Sequence, residues 1–358
     1  VRVDRLMSHA ERDAARHPGP VATVAGAATR WLLRRAAHER LVVTDARPGR
    51  RVSTTSYGSD ATDVDIDVAV TVHDERAYAA LVREGSIGLG RGYIEGWWTT
   101  DDPVAVVQFA IRNLGTLDRL RNRVRALTGW ATDRIRAALP RHTRERNRED
   151  IGAHYDIGNA FFELFLDETM TYSSAVFPHP DATLAEGSRH KYDRLLDQLG
   201  LTHEHRLLEI GTGWGGMAIR AAGERAAHVT TTTISAEQLA EARQRVEAAG
   251  LSDRVELLDH DWRDLDGGFD RVVSIEMIEA VDWRDYDEYF SMIERRLVPG
   301  GRAAIQAICL PDDRWERAKN TEDFIRRFVF PNGFLPSVSA IRRSVESATA
   351  MHVVEVDD

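Results

Sequence analysis

The chain has 358 residues, 43% of them hydrophobic and 29% charged, with a formal net charge of −10. That length suffices for two domains with an ordinary core, and the acidic balance argues against general affinity for nucleic acid. Cys309 is the single cysteine, which excludes a disulfide framework and a cysteine-based metal site; no metal is expected, and a reducing cytoplasm fits.

No run of about 18 apolar residues occurs, and the N-terminal stretch carries Asp4, Glu11 and Asp13 among arginines instead of a signal peptide's apolar core. The expectation is a protein that neither spans a membrane nor is exported by that route. Residues 1–110 read as a small α+β domain, with a helical start and alternating segments such as Val64 to Val72 whose period of two predicts strands. Gly85 to Trp98 sets five glycines beside Tyr93, Trp97 and Trp98. It reads as tight turns under aromatic lids, serving either a lipid or partner surface or packing between domains.

Residues 111–150 read as a basic amphipathic linker. Eleven arginines from Arg112 to Arg148 face Asp118, Asp133 and Glu145, while Leu117, Leu120, Val124, Leu127, Ile135 and Leu139 recur at helical spacing. Such a segment suits an anionic bilayer, each basic residue contributing about 1 kcal/mol near it; a solvated helix between domains is the plainer alternative.

Residues 151–358 read as the catalytic domain. His154 to Asn159 opens it; His154, which alone would more often be a structural histidine, is in this pattern a catalytic candidate. A helix is expected over Ala160 to Leu166, followed by the polar segment Thr171 to Phe177. Leu207, Leu208 and Ile210 predict a buried strand, Gly211, Gly213, Gly215 and Gly216 a turn, and Met217 to Glu224 a helix, with Trp214 inside the turn. Strand, glycine turn and helix N-terminus form the cofactor corner of a doubly wound α/β sheet.

A glycine turn is weak evidence alone and can bind nothing. Here Glu209 precedes the first glycine by two residues, where a carboxylate would repel a pyrophosphate but favours S-adenosylmethionine, which carries an ammonium and a sulfonium. Tyr172 and Ser173 are then candidates beside the sulfonium under a lid, with Ser174 a small polar contact. His228 to Thr233 reads as the second strand, with Thr233, Ser235 and Gln238 at the ribose position and Ser235 capping a helix. Val255 to Leu258 is the third strand; after it Asp261 can accept from an adenine amino group and Trp262 stack on the ring. Phe269 to Ile275 is the fourth strand, and Glu276 and Glu279 follow at its carboxyl end, on the substrate side. Pro299 to Gly301 turns into a fifth strand, Ala303 to Ile308, carrying Gln306; Phe328 to Ser337 makes a proline-pinned wall; Met351 to Val356 reads as a sixth strand, which leaves the domain short of its last strand.

Gly85 to Trp98, His154 to Asn159, Thr171 to Phe177, Glu209 to Gly216, Thr233 to Gln238, Glu276 to Glu279 and Phe330 to Ser337 together resemble the cyclopropane-fatty-acyl-phospholipid synthase family, which includes mycolic acid and 10-methyl fatty acid methyltransferases. The resemblance implies a Rossmann-like class I S-adenosylmethionine-dependent methyltransferase with a smaller lipid-associated N-terminal domain. It implies methyl transfer to the cis double bond of unsaturated acyl chains in phospholipids, through a carbocation, giving a cyclopropane ring; a methylene or 10-methyl branch is the alternative, and a small-molecule methyltransferase another. By resemblance, Tyr172, Ser173, Gly211, Gly213, Thr233, Gln238, Trp262 and Arg263 contact the cofactor. Ser174, Glu279, Gln306 and Ile308 would hold a bicarbonate acting as base, with an aromatic at Phe328. The sequence departs from the pattern at Ser174, at Ala280 and Gln306, where histidines are usual, at Phe328, and at Glu276, where glycine is frequent. The expected setting is cytoplasmic, peripheral to the inner face of the membrane, as a homo-oligomer with a reductase partner for the branched product.

Overall fold

The computed structural model describes residues 26–27, 29–31, 33–34, 39–58, 67–113, 158–225, 227–331 and 333–357. They divide into two compact units, one drawn from Val1–Leu139 with Asp323–Phe328, the other from Pro140–Glu322 with Val329–Asp358. Apart from residues 111–113, the arginine-rich linker lies outside the described residues, as does His154.

In the smaller unit, β1 (Arg40–Asp45), β2 (Ser53–Gly58), β3 (Asp67–Val72) and β4 (Trp98–Thr99) form a sheet of order β2-β1-β3-β4. Leu41, Val43, Val68 and Val72 alternate onto one buried face. The stretch expected as turns is instead mostly helix: α1 (Arg76–Glu84) is followed directly by α2 (Ser86–Ile94). Its glycines serve close approach. A Cβ on Gly88 would stand 2.0 Å from the Ala80 carbonyl oxygen, one on Gly90 2.1 Å from the Phe324 ring, and one on Gly92 2.8 Å from Trp98. Trp97 and Trp98 are buried in this unit's own core, and the Trp98 indole N–H donates to the Leu89 carbonyl at 2.9 Å.

In the larger unit, β5 (Arg206–Ile210), β6 (His228–Thr232), β7 (Val255–Leu258), β8 (Phe269–Ile275) and β9 (Leu297–Gln306) form an all-parallel sheet of order β7-β6-β5-β8-β9. Leu207, Leu208 and Ile210 are buried, as a strand covered on both faces requires. The flanking helices start on designed caps. Thr183 and Glu186 make a reciprocal capping box for the helix Leu184–Leu199, which buries Tyr192, Leu196 and Leu199, and Ser235 caps Ala236–Ala248. Strand order reverses between β5 and β8, and in such sheets ligands bind outside the strand ends at that switch.

Two expectations are corrected here. The Pro299–Gly301 turn lies inside β9, which already begins at Leu297 and shifts register opposite Phe269 and Arg271. Met351 to Val356 is not a strand: Val354 is 95% exposed and the segment pairs with no strand among the described residues. It is instead tied at its ends, the Ala350 N–H donating to Glu294 at 2.6 Å and Asp357 pairing with Arg194. Alternating residues make a strand only when a sheet edge receives them.

Candidate active site

Beyond β5 the chain turns through Gly211, Gly213 and Gly215, whose φ angles of +99°, +51° and +85° lie where a side chain is strained. The Gly211 and Thr212 N–H groups both donate to the Thr232 carbonyl, at 3.1 and 3.0 Å, which pins the turn to β6. Trp214 is buried, and its indole donates to Asn159 at 2.8 Å. Glu209 lies 2% exposed beside this corner. One of its oxygens has no partner among the described residues, and burial pushes its pKa up to about 8, the Thr231 hydroxyl opposing. A buried carboxyl lacking a counter-charge fits a cationic ligand, which would supply the missing partner. The bare turn and this acid therefore suit S-adenosylmethionine.

Thr233, Ser235 and Gln238 are buried at the end of β6 and hold one another. The Thr233 hydroxyl donates to Gln238 Oε1 at 2.9 Å, and Ser235 Oγ accepts the Gln238 N–H at 3.3 Å. They offer a ribose a preformed polar turn. Trp262, expected to stack on the adenine, is 8% exposed, lies under the Arg263 guanidinium at 4.2 Å and meets Tyr289 edge-on at 5.2 Å. Asp261 is engaged as well, accepting the Arg263 N–H at 3.0 Å and pairing with its guanidinium at 3.1 Å.

Beyond β8 and β9 a polar cluster assembles. Glu276 sits at φ +47° with its N–H donating to the Gln306 carbonyl at 2.9 Å. Its Oε1 accepts the Ser174 N–H at 3.0 Å, the Ser174 hydroxyl at 3.1 Å and the Gln306 amide at 2.8 Å. Gln306 Nε2 also lies 3.3 Å from Ser173 Oγ, which accepts from Lys191 at 2.6 Å. Lys191 is 2% exposed; burial pulls its pKa down to about 8 against the charges of Glu276 and Asp167. Glu279 Oε1 accepts the Ile308 N–H at 2.6 Å, while its Oε2 is buried without a partner among the described residues. Burial, with the charge of Glu276 adding, pushes Glu279 up to about 7, although the Ile308 N–H acts the other way.

This arrangement does not suit a bicarbonate. The Ser174 N–H, the Gln306 amide and the Ile308 N–H, which the resemblance would direct to that ion, are already satisfied by Glu276 and Glu279. A further anion would meet two carboxyl groups and no vacant donor of that set.

Tyr172 borders the cluster, its pKa raised by burial and then by Glu276. Its ring lies 5.4 Å from Phe162, 6.0 Å from Phe165 and 6.2 Å from Phe330, stacked on the last at 29°. Phe161, Leu164, Phe165 and Phe330 are 44%, 81%, 48% and 38% exposed, so an apolar strip runs from the surface to Tyr172. Phe328, expected on this wall, falls instead in Asp323–Phe328, grouped with the smaller unit, where its ring meets Phe324 at 5.2 Å. Phe330 stacks on Tyr172 within the larger unit. Lys191 was not expected at the site; its signal is that it is one of only two lysines, placed on the apolar face of a helix.

The strand order, the glycine corner and the polar cluster outside the strand ends define the larger unit as a class I S-adenosylmethionine-dependent methyltransferase, with S-adenosylmethionine as cofactor. Two solved structures share the fold: mycolic acid cyclopropane synthase CmaA1 complexed with SAH and CTAB (TM-score 0.54, 30% identity, covering 61% of this chain and 77% of that one) and cyclopropane synthase MmaA2 from Mycobacterium tuberculosis (TM-score 0.52, 29% identity, 56% and 74%). The chain belongs to the mycolic acid cyclopropane synthetase family, whose profile matches residues 142–358. Among its relatives, tuberculostearic acid methyltransferase UfaA1 of Mycobacterium tuberculosis is 40% identical over 345 residues, 94% of this chain and 78% of that protein. Cyclopropane-fatty-acyl-phospholipid synthase of Escherichia coli K12 is 34% identical over 279 residues, 77% and 69%.

Proposed function

We propose that this protein transfers a methyl group from S-adenosylmethionine to the cis double bond of an unsaturated acyl chain in a phospholipid, leaving a methylene or methyl branch. The observation that carries this reading is the meeting, at Tyr172, of an exposed apolar strip with the Glu276 and Glu279 cluster. An acyl chain needs the first, and removal of a proton needs the second.

When bound, S-adenosylmethionine supplies an electrophilic methyl group. The alkene is a weak nucleophile, so the apolar strip must align it. The faces of Tyr172 and Phe330 offset positive charge developing on the acyl chain, and the apolar wall keeps water from it. The cluster of Glu276, Glu279, Gln306 and Ser174 then places the group that accepts a proton. Loss from the added methyl group without rearrangement closes a ring. A hydride shift followed by loss beside the relocated charge leaves a methylene branch, which a reductase partner would saturate.

The branch is favoured because the similarity extending over 94% of the chain is to a relative named as a tuberculostearic acid methyltransferase. The ring is the second reading, supported by the E. coli synthase and by the family's description. Peripheral attachment to an anionic membrane through residues 111–150 belongs to the same proposal; among the described residues no helix is long and apolar enough to cross a membrane. Incubating the purified protein with oleoyl-phospholipid vesicles and methyl-labelled S-adenosylmethionine should place label in the acyl fraction, and mass spectrometry then separates branch from ring. Label appearing only in water-soluble acceptors would overturn the proposal.

A further inference from the structure

We propose that Glu276 is a resident general base, its own carboxylate taking the acyl proton where the resemblance places an exchangeable bicarbonate. This rests on the acyl-methylation reading above and names the group that completes it.

Three observations converge on Glu276. Its backbone is in the left-handed region at φ +47°, which costs a non-glycine residue about 1 kcal/mol or more and is kept mainly where function requires it. Its Oε1 is held by three donors from two distant segments, so the carboxylate is fixed in direction; Oε2 accepts no hydrogen bond from the described residues and is the oxygen left for substrate. The donors are those a bicarbonate would need, and the tethered carboxylate already occupies them. A group fixed in place also has an effective concentration far above that of a dissolved ion.

Glu279 is suited to a different task. One oxygen is tied to the Ile308 N–H at 2.6 Å and the other is buried, so it braces the end of β9 and limits the negative charge beside Glu276 while protonated. Gln306, whose amide donates to Glu276, keeps that donor at every pH with no change of charge or tautomer, unlike a histidine.

The electron count closes with no further reagent. The alkene π pair forms the bond to the methyl carbon as the carbon–sulfur bond breaks, and S-adenosylhomocysteine leaves. A hydride carries its pair to the cationic carbon and moves the charge to the methyl-bearing carbon. Glu276 takes a proton from the added methyl group, that C–H pair becomes the double bond of the methylene branch, and the neutral acid returns its proton to water.

The test uses the full chain in carbon dioxide-free buffer with oleoyl-phospholipid vesicles. Wild-type turnover should change less than about twofold when bicarbonate is added. Glu276→Gly accommodates the left-handed backbone and removes the carboxylate. It should lose about 100-fold or more, the usual scale of general-base catalysis, and regain turnover when bicarbonate is supplied. Glu276→Gln should be as slow and gain nothing, while both variants keep S-adenosylmethionine affinity by calorimetry. A wild-type rate rising about tenfold with bicarbonate, or Glu276→Gln at the wild-type rate, would overturn the assignment without touching the proposed reaction. The wild-type arm decides even where a variant fails to fold. Absence of methyl transfer to the acyl chain under every condition would remove the proposed reaction and this assignment together.

Discussion

Glu279→Gln should make the protein relatively more stable in alkali while leaving the reaction running. The wild-type carboxyl rises from 4.5 unfolded to about 7 folded because burial disfavours its charge. A gap of about 2.5 units corresponds to about 3 kcal/mol at about 1.4 kcal/mol per unit. Because the folded value is the raised one, the native state binds more protons than the unfolded chain between these values. The stability is therefore whole below pH 4.5 and is lost as pH rises through about 7. Glutamine has no proton to lose and its amide oxygen can still accept the Ile308 N–H. The stability of the variant minus that of wild type should therefore increase by about 2 kcal/mol between pH 5 and pH 9, read from urea unfolding at several pH values; the titration of Glu209, present in both proteins, cancels. Turnover should fall by less than the roughly 100-fold of a lost general base, because the neutral amide keeps the brace on Ile308, with cofactor affinity retained. Parallel stability curves for the two proteins would refute the burial argument, and a turnover loss of about 100-fold or more would give Glu279 the role of base.

Glu209, pushed up to about 8, is largely protonated at pH 7, and a cationic cofactor beside it should draw that value down. Binding at pH 7 should then release close to one proton, seen by calorimetry in buffers of different ionisation enthalpy, and Glu209→Gln should abolish the release; binding heats independent of buffer would count against the pairing. In the smaller unit, Gly88→Ala places a Cβ 2.0 Å from the Ala80 carbonyl, and overpacking of about 1–3 kcal/mol or more should outweigh the roughly 1 kcal/mol gained from helix propensity. A lower melting temperature is expected, with unchanged S-adenosylmethionine affinity; a higher one would mean that the two helices need no bare contact.

The parallel sheet was legible because its elements are local. The bounds of β7 and β8 are those expected from their apolar runs, and the helix Gly216–Arg225 differs from expectation only at its ends. Where the reading failed, the cause lay far along the chain. The glycines of Ser86–Ile94 look like turn residues, yet Gly90 is opposed by Phe324, more than two hundred residues away, and Gly88 by a carbonyl on the preceding helix. Close packing between helices leaves the same glycines in a sequence as a turn does. Phe328, the aromatic expected on the wall, is grouped with the smaller unit and Phe330, two residues on, with the larger.

At the site, motifs supplied the residues but not their partners. Ser174 and Glu276 are 102 positions apart and Ser174 and Gln306 132, so no local pattern could reveal that one carboxylate gathers both. Lys191 adds a step. The chain uses arginine for nearly all its positive charge, with two lysines among 47 basic residues, yet the cation buried against Ser173 is a lysine. A guanidinium would stay charged at any accessible pH, whereas burial brings this ammonium down to about 8. The lysine thus places, one hydroxyl away from the Gln306 amide that holds Glu276, a group able to gain or lose a proton near pH 8.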